Sequence, residues 1–239
     1  LVGLRAGPVG DRDAARQGRI AADGREIARH PWKTSYNPTA ATPIALRLVA
    51  IRKPEAAIAD TRAKLEAEAR QVAQRNLALF AAYDAIVVPS GSCTAMLRIF
   101  YPELFADDPV RSAQAERLAA RTYELAEFLV RILGVEEVGA TFHGTVTYHP
   151  SCHLSRELGI TEEPQRLLAG VTGITAVPMD TAEQCCGFGG TFAVKYPEIS
   201  DAMLHKKIAS AQRTGATTLV SCDAGCLLHI AGRLRRQGM

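Results

Sequence analysis

From residue 59 onward, apolar and polar positions recur with regular periods. Leu65, Ala69, Val72, Leu77 and Phe80 fall at helical spacing with charges between them, and Asp60 or Thr61 can cap a helix there. The run Asp84-Ala-Ile-Val-Val-Pro89 is continuously apolar and ends in proline, which predicts a strand buried on both faces. Ser90-Gly-Ser-Cys93 predicts a tight turn into a helix over 94–100. Leu118, Thr122, Leu125, Phe128, Leu129 and Ile132 then share one side of a long amphipathic helix over 109–133.

The C-terminal part repeats the order. Strands are predicted over 145–149, 175–179 and 218–221. A helix over 197–213 opens on Pro197, turns Ile199, Met203, Ile208 and Ala209 inward, and stops at Gly215. Helix–strand–turn–helix order predicts an α/β fold with largely parallel sheets. Ile86-Val-Val-Pro-Ser-Gly-Ser-Cys93 also aligns with Leu219-Val-Ser-Cys-Asp-Ala-Gly-Cys226 at a constant offset. The expected architecture is therefore two related halves, each a largely parallel sheet with flanking helices. Cys93 and Cys226 occupy equivalent strand-to-helix turns, where sites gather in such sheets.

Residues 1–55 break this regularity. They hold ten Lys/Arg and five Asp/Glu against eighteen and twenty in the remainder, and no cysteine. Ile44 to Ile51 fits either a short strand or a buried helical turn. Arg12 to Arg29 fits an exposed helix with a solvated basic face, and Trp32, in His30-Pro31-Trp32, reads as a packing anchor. Much of this segment is expected to be poorly ordered. The net charge of +3 gives no argument for nucleic acid. No apolar run approaches the ~20 residues of a membrane span, and no charged-then-apolar leader is seen, so a cytoplasmic protein is expected.

All six cysteines lie in the regular part: Cys93, Cys152, Cys185, Cys186, Cys222 and Cys226. Six in 239 residues is too sparse for a disulfide scaffold, and five fall within three groups that each follow a predicted strand. Ends of neighbouring parallel strands lie close together, so these groups can converge. Thiolates are the ligands iron–sulfur clusters require, usually four of them. Gly187, Gly189, Gly190 and Gly225 would let the backbone approach an inorganic core and donate N–H groups to it. A structural zinc site is the rival, although only Cys222/Cys226 has the form of a zinc knuckle. A thiol–disulfide enzyme is disfavoured because C-x-x-C is absent. A lone cysteine such as Cys93 reads equally well as a small hydrophobe. His149, His205 and His229 read as hydrogen-bonded turn or surface residues, and His153, beside Cys152, as a donor to the cluster or a fallback ligand.

Several motifs occur in order: Tyr148-His-Pro-Ser-Cys-His153, Gln184-Cys-Cys-Gly-Phe-Gly-Gly-Thr-Phe192, Lys195-Tyr-Pro-Glu-Ile-Ser200 and Ser221-Cys-Asp-Ala-Gly-Cys-Leu-Leu-His-Ile230. Together they resemble the cysteine-rich CCG-domain iron–sulfur family, closest to its lactate utilization protein A type. That type is related to the iron–sulfur component of glycolate oxidase and to the cysteine-rich component of heterodisulfide reductase. Asp84 to Met96 resembles the family's first half. The resemblance implies an iron–sulfur electron-transfer subunit of a cytoplasmic complex oxidising L-lactate, or a related 2-hydroxy acid, to the 2-oxo acid. It implies one [4Fe-4S]-type cluster, with Cys152, Cys185, Cys186 and Cys226 as ligands, Cys222 next, and other subunits as partners. The chain has no Gly-x-Gly-x-x-Gly fingerprint, so dehydrogenation is expected to need those partners.

Two departures accompany the resemblance. The family's first half should carry its own early cysteine and its own Cys-Cys-Gly, whereas residues 1–59 have neither, as a truncation or shifted reading frame would produce. The organisation expected is an atypical segment 1–59, a degenerate first CCG-like half 60–140, and a cysteine-rich domain 141–239. The last motif is C-x₃-C rather than C-x-x-C, with Asp223 where the first cysteine of that pair would stand. A zinc-stabilised or degenerate non-catalytic interaction module is the alternative function.

Overall fold

The computed structural model describes residues 2–5 and 55–238. The expectations for Arg12–Arg29, Trp32 and Ile44–Ile51 lie outside the described residues. The chain divides into two compact units, residues 9–71 and residues 1–8 with 72–239. Within the first, the described part is the start of a long helix, α1 (Glu55–Leu79), carrying the i,i+4 ion pairs Asp60–Lys64 and Glu66–Arg70 at 2.9 Å. Its beginning at Glu55 precedes the expected caps at Asp60 and Thr61.

The second unit opens with β1 (Val2–Arg5) and resumes in the last turns of α1, where Ala73 and Leu77 enter the core while Val72 stays exposed. They pack on Ile86, Leu97, Tyr101, Phe105, Ala115 and Leu118. Strand β2 (Ile86–Val88) leads into the helical stretch α2, 91–104, whose Met96–Phe100 segment is a π turn. Then come α3 (Pro109–Ala119), β3 (Thr122–Glu124) and α4, residues 125–132. The single helix expected over 109–133 is thus broken by a strand. Thr122–Glu124 pairs in parallel with Ile86–Val88. Glu124 then restarts the helix through a capping box, accepting from the Ala126 N–H at 2.6 Å while Glu127 reaches back to the Glu124 N–H. A second difference follows from the sheet having two strands: only Ile86 is fully buried, and Val87 is exposed.

The larger sheet is built from β4 (Thr141–His149), β5 (Thr172–Ala176) and β6 (Thr218–Ser221) in the order β1-β6-β4-β5. β4 is parallel to both β5 and β6, and β1 caps the edge antiparallel to β6. A π turn, His153–Glu157, follows β4, and α5 (Glu163–Ala169) precedes β5. After β5 come α6 (Thr191–Lys195), α7 (Pro197–Arg213) and, beyond β6, α8 (Ala224–Arg236). Two largely parallel sheets flanked by helices make this an α/β fold in two parts. The buried positions of α7 include Leu204, Lys207 and Ile208, whereas Ile199 is more than half exposed. Among the described residues no helix is long and apolar enough to cross a membrane.

The two aligned turns touch each other. Ser90 caps α2 and Asp223 caps α8, at equivalent positions 133 residues apart. The Asp223 carboxylate accepts from the Gly225 and Cys226 N–H groups at 3.0 and 3.4 Å, which caps its own helix. Its other oxygen accepts from the Ser92 N–H at 2.9 Å and the Ser90 hydroxyl at 3.4 Å. Gly91 N–H donates to the Cys222 carbonyl at 3.3 Å. Gly91 is required here, because a Cβ would lie 2.8 Å from the Leu154 side chain.

Candidate metal centre

Side-chain alternation along the strands decides which sulfurs meet. Leu219 of β6 packs with Cys186, Cys226, Leu204, Ile208, Leu227 and Ile230 on one face. Val220, one residue on, packs with Val146 and Leu168 on the other. Cys222 continues that second face: it is buried among Leu154 and Ile160, with the Tyr148 hydroxyl 3.9 Å from its sulfur. Four sulfurs form a connected group without it. Cys152 Sγ lies 4.0 Å from Cys185 Sγ, and the Cys186 thiol bonds both Cys185 and Cys226. Three separated strand-end segments therefore converge on one spot. Cys93, equivalent to Cys226 in the repeat, is exposed, with its N–H 3.4 Å from the Ser90 hydroxyl.

Within the group, Cys185 is the sulfur favoured to lose its proton. Hydrogen bonds from the Cys152 and Cys186 thiols, and the Gly187 N–H at 3.3 Å, lower its pKa far below the ordinary thiol value. Cys152 and Cys186 are pushed up in turn, chiefly by donating to that thiolate. Cys222 is pushed up to about 12 by burial. A thiolate beside ready donors is the state from which a metal is captured.

The predicted glycines serve the loops that carry these sulfurs. Gly187 has φ +86°, and a Cβ there would lie 2.6 Å from the Ser200 carbonyl oxygen. Ser200 holds this turn by donating to the Gly187 carbonyl at 2.7 Å, and its hydroxyl lies 3.2 Å from His229 Nε2. A Cβ on Gly225 would meet the Phe188 ring at 2.8 Å, so that glycine admits an aromatic neighbour. Gly189 and Gly190 are exposed. His153 Nδ1 is 3.8 Å from Cys152 Sγ.

Two buried groups were not legible as part of this site. Lys207 is fully buried, and its Nζ donates to the Thr181 and Ala182 carbonyls at 2.9 Å each, clamping the approach to Cys185. Burial lowers its pKa, against the pull of Cys186 and Cys185. His149 is fully buried too, which corrects its reading as a hydrogen-bonded turn or surface residue: among the described residues neither ring nitrogen has a hydrogen-bond partner. One of them lies within 4.8 Å of both the Cys186 and Cys226 sulfurs. Burial, and then the Lys207 charge, lower its pKa to about 4, so the imidazole is neutral. Its spacing three residues before Cys152 was the available signal.

The description of the CCG cysteine-rich domain fits residues 57–98 and 146–231, which include both aligned turns and every one of the four grouped cysteines. The chain belongs to this cysteine-rich family. It is 50% identical over 171 residues to lactate utilization protein A of Geobacillus kaustophilus (strain HTA426), covering 72% of this chain and 71% of that one. Lactate utilization protein A of Bacillus subtilis (strain 168) is 46% identical over 170 residues, 71% of each chain. The family match to 57–98 includes Cys93, so the first turn is a family feature as well as the second.

Proposed function

We propose that this chain serves lactate utilization as an iron–sulfur electron-transfer subunit. It would work in a cytoplasmic complex that oxidises L-lactate, or a related 2-hydroxy acid, to the 2-oxo acid. The observation that carries this reading is the convergence of Cys152, Cys185, Cys186 and Cys226 from three separate strand ends. Four soft donors, of which Cys185 is both the readiest to ionise and the one backed by the Gly187 N–H, fit an iron–sulfur cluster of the [4Fe-4S] type. Such a cluster, when bound, takes up and releases single electrons. The chain's own residues would hold it, with Leu204, Ile208, Leu219, Leu227 and Ile230 packed around Cys186 and Cys226. Lys207 places a cation beside the thiolates, and Ser200 fixes the Gly187 turn. On this reading residues 60–140 are a degenerate first half that supplies the Ser90–Cys93 turn, and 141–239 are the cluster-bearing domain. The 50% identity to a lactate utilization protein A supports the substrate class and the presence of partner subunits.

One observation favours a second reading. The 4.0 Å between the Cys152 and Cys185 sulfurs is close to the sulfur–sulfur edge of about 3.8 Å that Zn–S bonds of ~2.3 Å give in a tetrahedron. A single zinc would make the centre structural, since zinc has no redox chemistry. Iron, acid-labile sulfide and zinc analysis of anaerobically purified protein decides between them. Iron with matching sulfide and broad visible absorption supports electron transfer; stoichiometric zinc without sulfide overturns it.

A further inference from the structure

Strand alternation sends Tyr148 to the Cys222 face of β4 and sends Thr147 and His149 to the opposite face, against the grouped thiols. His149 is fully buried there and makes no hydrogen bond through either nitrogen among the described residues. Buried polar groups are almost always partnered, so an imidazole orphaned at both ends is free to take a bound species as its partner. The surroundings say which species. The ring lies within 4.8 Å of the Cys186 and Cys226 sulfurs, and Lys207, Cys185 and Asp223 are the charged groups that act on it. An imidazole nitrogen without a hydrogen-bond partner that faces two sulfurs presents a lone pair, which is what a metal takes.

We propose that His149 is a metal ligand of this centre, supplying one imidazole nitrogen beside the Cys186 and Cys226 sulfurs. The proposal rests on reading the grouped cysteines as a metal centre; at a four-coordinate zinc, or at a [4Fe-4S] cluster with one protein ligand per iron, His149 takes a position that one of Cys152 and Cys185 would otherwise fill. With bonds of ~2.05 Å to nitrogen and ~2.3 Å to sulfur, a shared tetrahedral metal sets N and S roughly 3.6 Å apart. The 4.8 Å envelope needs only a small closure to reach that separation. A hydrogen bond from the ring to a thiolate is the competing arrangement, and the described residues contain none. His149 also sits in the right place on the chain, at the last residue of β4, so the rigid sheet aims it while Cys152 arrives on the following turn.

Cobalt(II) added anaerobically to the metal-free full chain tests this. The ion reports its own ligands through d–d bands and thiolate-to-metal charge transfer. Wild type is expected to bind Co²⁺ with both features, and with a paramagnetically shifted imidazole N–H resonance. His149→Ala should weaken Co²⁺ binding at least tenfold, move the d–d bands and abolish that resonance. His149→Cys should restore tight binding and add one thiolate's charge-transfer intensity. A merely structural histidine would change the stability of the metal-free protein and leave these spectra alone. Binding within twofold of wild type with unchanged bands in His149→Ala overturns the proposal. If His149→Ala does not fold, unchanged charge-transfer intensity in His149→Cys overturns it equally. A wild type that binds no Co²⁺ overturns the thiolate centre itself, whereas a wild type that binds beside an indifferent variant overturns only the role of His149.

Discussion

Replacing Asp223 by Ala removes acceptors for four donors at once: the Gly225, Cys226 and Ser92 N–H groups and the Ser90 hydroxyl. Loss of an N-cap costs about 1 kcal/mol. The Ser92 N–H, left in a partly buried turn without its 2.9 Å partner, adds a further ~1–2 kcal/mol. Together the variant should lose about 2–3 kcal/mol, which for a unit of this size lowers Tm by roughly 5–10 °C. Urea denaturation of the metal-free full chain, followed by circular dichroism, measures it. Asp223→Asn separates the two contributions, since its one remaining oxygen can keep the cap while its NH₂ cannot accept from Ser92. It should lose about half as much. A loss below ~0.5 kcal/mol in Asp223→Ala, or equal losses in both variants, would refute the idea that this carboxylate joins the two turns.

Other outcomes follow from the same geometry. Cys186→Ser should abolish bound metal and bleach any cluster absorption, whereas Cys222→Ser, on the opposite face of the sheet, should leave metal content unchanged; metal analysis of the two side by side checks both. The folded pKa of His149 lies near 4 against 6.5 unfolded, so the unfolded chain binds the extra proton first. Stability of the metal-free protein is then full above pH 6.5 and falls by about 3 kcal/mol as pH drops to 4, a slope that His149→Gln should flatten in denaturation curves. Gly187→Ala forces a side chain to φ +86° and into the Ser200 carbonyl, and should cost more than ~2 kcal/mol and most metal binding. Lys207→Met removes a cation from beside the thiolates and should shift the midpoint potential of the reconstituted centre to more negative values, read by spectroelectrochemical titration.

The strand 218–221, the helix 197–213 and the cysteine turns were legible because each pairs a local signal with a stop: an apolar run before a turn, or a proline at one end and a glycine beyond the other. The helix expected over 109–133 failed for a physical reason. Leu118, Thr122 and Leu125 fit a 3.6 period, but Thr122–Glu124 becomes extended through pairing with Ile86–Val88, a partner over thirty residues away. Burial of Lys207 was equally unreadable, since its acceptors are the carbonyls of residues 181 and 182, and carbonyls leave no mark in a sequence. The inward face of α7 therefore includes a lysine that was not among its expected inward residues, and excludes Ile199. Strand parity, by contrast, was implicit all along: residues 219 and 222 stand on opposite faces by counting, which separates Cys222 from the group that Cys226 joins.

The contact between Ser90 and Asp223 also has a temporal side. It spans 133 residues, so closing it carries the entropy of a long loop and belongs late in folding. During synthesis the first turn is made well before its counterpart exists, with an interval on the order of ten seconds at ordinary elongation rates. Through that interval the Gly91 and Ser92 amides are served by water. The arrival of Asp223 with α8 then locks the earlier turn as it starts the later one, so the nascent protein gains both in a single step.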